Sequence, residues 1–207
     1  MSTLGSISGS RRARKKDRTR AEIFRAAMDL FAARGFDPVT VEQICTAADV
    51  AKGTFFLHFP SKAALLVEWD RELAAEFASR LRDPRDSALA QYRTLVDLLG
   101  EHWRRRPDAT RALLPELLVP RAPDGSAPDR GLRALVEEVV LRGQERGEFR
   151  RNVTARVAAA AFLAACAAVF STAQRGDPSE ALRNELLHAQ LHGLSEPKPR
   201  LKWTPSP

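Results

Sequence analysis

Cysteine is scarce in this chain: Cys45 and Cys166 are the only two in 207 residues, and they show no disulfide framework or metal spacing. That fits a reducing compartment, and a cytoplasmic location is expected. Long apolar runs are missing as well. The longest, Val157–Phe170, has 14 residues, short of the roughly 18–20 that cross a bilayer. The N-terminus lacks the apolar core of an export signal, and no membrane partner is expected. There is no glycine-rich phosphate loop, nucleophile elbow or metal constellation, so neither an enzyme nor a cofactor is predicted. Strand alternation and internal repeats are also absent.

What is present is charge, unevenly placed. The chain is 44% hydrophobic and 29% charged, a balance that suits a folded domain, and its formal net charge is +7. Residues 1–20 hold seven cations, Arg11, Arg12, Arg14, Lys15, Lys16, Arg18 and Arg20, against Asp17 alone. The other 187 residues carry 26 basic and 25 acidic groups and are nearly neutral. A basic arm of residues 1–18, read as disordered, on a neutral body points to a polyanion, most often nucleic acid. The arm has too few apolar residues to insert into a membrane.

The body reads as all-α. Ile23, Ala26, Ala27, Leu30 and Phe31 follow the spacing of one buried helix face. Gly35 stands where a left-handed residue ends that helix, Phe36 is placed to pack back on it, and Pro38 prevents continuation. Thr40-Val41-Glu42-Gln43 forms a capping box for a short second helix to about Ala48, and Asp49 occupies a tight turn with positive φ. A third short helix spans about Ala51–His58 and stops before Pro60. Further helices are predicted over Ser61–Arg82, Asp86–Arg105, Ala109–Leu118, Asp129–Gly147, Thr154–Gln174 and Pro178–Leu194, about nine in all. The boundaries imply a head at 19–62, a body at 63–195 and a loose tail at 196–207.

Two short helices joined by a tight turn behind a packing helix are the geometry of a helix-turn-helix, whose last helix lies in the major groove. Lys52, Gly53 and Thr54 begin that helix. Gly53 costs about 1 kcal/mol relative to Ala inside a helix, and close approach to a DNA backbone is a reason to keep it. At these residues the chain resembles the TetR (tetracycline-repressor) family of regulators. The matching pieces are the helix Thr19–Arg34, then Gly35-Phe36, Thr40–Ile44, and above all VAKGTFFLHFPSK at Val50–Lys62. The resemblance implies a dimeric regulator of double-stranded DNA, usually a repressor, with an effector pocket in its C-terminal helices. Carried over residue by residue, it implies phosphate contacts at Thr40 and Lys62, a recognition helix carrying Lys52, Gly53 and Thr54, and His58 near its end. Arg11, Arg12, Arg14, Lys15, Lys16 and Arg18 are expected to reach the adjacent minor groove. The chain departs from the family at Phe56-Leu57, where many members have Tyr-Tyr, and at Ala51, which replaces a frequent capping Ser.

Phe55, Phe56 and Phe59 are expected in the core. Trp69, Phe77, Trp103, Leu114, Phe162 and Cys166 are the candidate lining of a pocket for an apolar or aromatic effector of unknown identity, each competing with a plain core role. The Ala-rich helix and the last helix, with Leu182, Leu186, Leu187, Leu191 and Leu194, are the expected homodimer seam. Glu185, His188 and His192 share a helix face, but no third His or Cys stands near, and no metal site is predicted. An architectural DNA binder with little sequence preference remains the alternative.

Overall fold

The chain folds as a bundle of helices in which a small three-helix head is joined to a larger body by one continuous helix. The computed structural model describes residues 5–81, 86–118, 131–172 and 184–189, with the side chains of 5–12 and 170–172 outside that description. The head comprises α1 (Gly5–Arg34), α2 (Val41–Ala47) and α3 (Lys52–His58). The body comprises α4 (Lys62–Arg80), α5 (Ala88–Arg105), α6 (Pro107–Leu113) with a 3-10 turn at Pro115–Leu118, α7 (Leu132–Glu145) and α8 (Ala155–Thr172). Residues 184–189 are also helical, and the rest of the predicted last helix lies outside the described residues.

The punctuation read from the sequence forms as expected in the head. Gly35 has φ +80° and donates to the Phe31 carbonyl at 2.8 Å, and Phe36 tilts onto the Phe31 ring at 5.0 Å between centroids. Thr40 and Gln43 close the capping box, with contacts of 3.2 and 3.0 Å. Asp49 takes φ 52° in the turn to α3. Ile23, Ala27 and Phe31 of α1 are fully buried, with Ile44 of α2 and Phe55 of α3 beneath them.

The basic segment differs from expectation. Residues 5–18, read as a disordered arm, continue α1 as helix. Arg, Lys and Ala are all good helix formers, no proline interrupts them, and Arg18 pairs with Glu22 one turn on at 2.9 Å. Pro107 likewise ends α5 but opens α6, since a proline at the first helical position gives up an N–H that has no partner there anyway. Pro115 then closes α6, and the expected helix to Leu118 finishes as a 3-10 turn.

The body is held by α7 packed on α8 and on α5, and α6 reaches across to α1. Tyr92 is buried edge-on between Phe162, at 4.8 Å, and Phe149, at 6.1 Å. Asp70, buried on α4, accepts the Leu132 N–H at 2.8 Å and so caps α7 from 62 positions away. This close approach requires glycine at 131, because a Cβ there would lie 1.9 Å from the Asp70 Oδ2. Burial pushes the Asp70 carboxyl up, against the Leu132 hydrogen bond and the Arg133 and Arg71 charges.

His102 of α5 is buried beside Trp69, their rings 6.1 Å apart, and its Nε2 has no hydrogen-bond partner among the described residues. Burial holds its imidazole down at about 4, with the Glu76 charge opposing the fall and the Arg105 and Arg106 charges adding to it. The folded state therefore keeps His102 neutral while the unfolded chain takes up a proton near 6.5. The associated stability, on the order of 3 kcal/mol, is present above pH 6.5 and is lost as pH falls from there through about 4. Urea unfolding at fixed protein concentration should show this acid-side loss in the parent, and His102→Gln should lack that component.

Candidate nucleic-acid interface

The recognition helix α3 (KGTFFLH) presents two unlike faces, one packed and one exposed. Phe55 and the following Phe59 are buried, their rings tilted against each other at 6.0 Å between centroids. Lys52, Gly53, Phe56 and Leu57 face outward, and Thr54 and His58 lie at the edges, half-buried. The expectation that Phe56 is core is corrected: it is 47% exposed, and Leu57 is 72% exposed. Phe56 follows Phe55 by about 100° of helix turn, and the packed face runs the other way from Phe55, over half-buried Thr54 and His58. Ala51 caps α3 without a side-chain hydrogen bond, as its identity predicts.

Lys52 pairs with Glu42 of α2, and their hydrogen bond raises the base and lowers the acid relative to their ordinary values. Both groups are well exposed, so the pair exchanges readily for a phosphate or a base edge. A Cβ added at Gly53 would meet nothing within 4 Å, so the protein's own packing does not require glycine there.

Two cations brace the head, one at the end of α3 and one at the α1–α2 loop. Arg20 of α1 donates to the His58 carbonyl at 2.7 Å, pairs with Glu68 of α4 at 3.0 Å, and lies 4.2 Å over the Phe59 ring. It thus ties the end of α3 to both α1 and α4. Sequence reasoning counted Arg20 among the basic residues without assigning this role; its place three residues before Ile23, at the edge of the apolar stripe, is the signal that was available. Lys62, at the start of α4, donates to the carbonyls of Phe36, Asp37 and Val39 at 2.9, 3.1 and 2.8 Å and sits 4.3 Å over the Phe36 ring. An ammonium has three protons to donate, and here they brace the α1–α2 loop. These internal contacts hold Lys62 at the start of α4, where a phosphate contact is also expected. The positive charge in the first turn of α4 is thus stabilised by three carbonyls.

Thr40 is exposed at the head of α2, where its hydroxyl accepts the Gln43 N–H. His58 has its Nδ1 buried with no hydrogen-bond partner among the described residues, and desolvation, then the Lys16 and Arg20 charges, lower its pKa. The Arg20 bond to the His58 carbonyl puts the end of α3 against α1, one helical turn after Lys16. Arg14, Lys15, Lys16 and Arg18 are exposed there, and the side chains of Arg11 and Arg12 lie outside the description.

The six residues expected to line a pocket are all buried: Trp69 and Phe77 on α4, Trp103 on α5, Leu114 after α6, and Phe162 and Cys166 on α8. Trp103 lies under the Arg111 guanidinium at 5.3 Å. A cleft of about 460 Å³ between α1 and the end of α2 includes none of them and is lined by Glu22, Arg25, Asp29 and Asp49 among others. Among the described residues no group of three His, Cys, Asp or Glu is placed to hold a metal; Glu185 and His188 belong to the described stretch, and His192 lies outside it. No described helix is long and apolar enough to cross a membrane.

Comparison with known proteins assigns this geometry. Residues 23–69, which run from the buried second half of α1 into α4, match the family described as bacterial regulatory proteins, tetR family. The HTH-type transcriptional repressor NicS of Pseudomonas putida is 30% identical over 152 residues, covering 69% of this chain and 71% of that protein. The chain belongs to the tetR family. The HTH-type transcriptional regulator TcmR of Streptomyces glaucescens is 51% identical over 51 residues, although that match covers only 25% of this chain and 23% of TcmR. The crystal structure of Thermus thermophilus FadR, a repressor of the same family in complex with lauroyl-CoA, superposes with a TM-score of 0.64 at 26% identity and covers 91% of this chain and 98% of that one. This tetR-family regulator therefore shares its helical architecture with the family along most of its length and its sequence chiefly in the head.

Replacing Lys62 with Met removes three charge-assisted hydrogen bonds from the α1–α2 loop. Thermal unfolding should show a loss of about 1–3 kcal/mol. The salt dependence of DNA binding by the folded variant should flatten with loss of the expected phosphate contact, and a slope matching the parent would leave Lys62 its internal role alone.

Proposed function

We propose that this regulator is a homodimeric repressor in which α3 of each subunit enters the major groove of a palindromic operator. The observation that carries the reading is the outward face of α3. Lys52, Gly53, Phe56 and Leu57 are exposed together, clamped from behind by Arg20, with the basic turn of α1 alongside. Two-fold symmetry of the protein implies an inverted repeat in the DNA. Thr40, Lys52, Gly53, Thr54, His58 and Lys62 remain the expected contacts, with Arg11 through Arg18 adding electrostatic attraction from α1.

Dimerisation through α8 and the last helix is supported by the composition of α8. Arg156, Val157, Ala160, Ala161, Ala164 and Ala168 are exposed on it, and small side chains permit close helix approach. Light scattering at micromolar concentration should report a dimer.

The effector in this reading is a small molecule with an apolar or aromatic body held in the α4–α8 core near Trp69, Phe77, Trp103, Leu114, Phe162 and Cys166. That related FadR binds lauroyl-CoA supports an apolar ligand class. The effector releases DNA by binding better to an arrangement in which α4, and with it α3, is displaced. The protein acts as a cytoplasmic regulator and not as an enzyme.

Selection from random duplex DNA at physiological salt tests the proposal. An enriched inverted repeat is expected, and a retained pool without a motif would overturn sequence-specific regulation. Gly53→Ala should raise helix stability by about 1 kcal/mol yet weaken binding to the selected site.

A further inference from the structure

The two large apolar side chains on the outer face of α3 stand where a DNA-reading helix ordinarily shows donors and acceptors. Gly53, Phe56 and Leu57 are spaced i, i+3, i+4 and share one exposed face. Phe56 is held edge-on against buried Phe55, at 5.3 Å and 87°, so its ring is preset rather than free to fold back. Leu57 is the most exposed large hydrophobic residue described, at 72%. Glycine at 53 leaves open space beside them. Lys52 and Thr54 supply the hydrogen-bonding groups at the start of this helix, and the face beyond them is apolar.

We infer that Phe56 and Leu57 are specificity-determining residues that read the C5-methyl groups of thymines in each operator half-site. This rests on the DNA-binding reading above. Neither side chain can donate or accept a hydrogen bond, so neither can distinguish base edges by the donor–acceptor code. The apolar feature that the major groove offers is the thymine methyl, and apolar side chains are suited to it. A protein partner fits the face less well, because the end of α3 is bound to α1 through Arg20 and the preceding turns of α1 expose Arg14, Lys15, Lys16 and Arg18, which favour a polyanion. Where many family members have Tyr-Tyr, these apolar side chains forgo hydroxyl hydrogen bonds and gain base selectivity.

The probe is the DNA pool that the parent protein enriches from random duplexes, copied once with thymidine triphosphate and once with deoxyuridine triphosphate. The two copies differ at every thymine by one methyl group. The parent should bind the uracil copy more weakly, by about fourfold for each methyl contacted. Leu57→Ala and Phe56→Ala should bind the thymine copy more weakly than the parent does, and their thymine-to-uracil ratio should move toward one. Thermal unfolding of Leu57→Ala should match the parent, since the side chain is solvent-exposed. Equal binding of both copies by the parent would overturn methyl reading while leaving the regulator intact. A parent preference that survives unchanged in both variants would overturn the assignment to these side chains. Failure to enrich any motif would instead overturn the sequence-specific reading on which this inference rests.

Discussion

The Arg20 guanidinium is the point through which the head of this molecule is organised. It donates to the carbonyl at the end of α3, pairs with Glu68 on α4 and covers the Phe59 ring, so three helices meet on one planar cation. The rigidity of a planar, five-donor group suits it to that position, where a lysine would make a single adaptable contact. The short α3 has seven residues and an alanine at its cap, too little to be stable by itself. Its orientation therefore comes from what is packed and hydrogen-bonded behind it.

Lys62 extends the same arrangement to the α1–α2 loop, and Asp70 extends it into the body. The first turn of α4 is bound to the head by Lys62, its second by Glu68, and its third to α7 by Asp70. A displacement of α4 cannot leave α3 where it was without breaking charge-assisted hydrogen bonds. This gives the proposed release mechanism a mechanical path: α4 also carries Trp69 and Phe77, which face the body's core. The buried His102 next to Trp69 is kept neutral there, as the apolar surroundings demand.

The all-α class, the capping box, the left-handed Gly35 and Asp49 and the helix-turn-helix spacing were legible because each depends on residues within a few positions of one another. The family resemblance was legible for the same reason, since Val50–Lys62 is one contiguous string. Less legible were features decided between competing local rules. The basic segment reads as disordered by charge and as helical by propensity, and propensity prevailed with the help of Glu22. Phe56 reads as core by its identity, yet the helix phase turns it outward.

The sequence by itself determined which residues cap, turn and alternate, and hence that a recognition helix begins at about Lys52. Only the tertiary structure decided what the long cationic side chains do. Lys62 and Arg20 each have enough reach to touch either a phosphate or a backbone carbonyl, and sequence spacing does not distinguish the two. The fold brings carbonyls of residues 36, 37 and 39 within 3.1 Å of Lys62, and that of residue 58 within 2.7 Å of Arg20. A carbonyl partner that folding itself delivers is always present, whereas a phosphate must first be bound, so these cations serve the scaffold whether or not DNA is there.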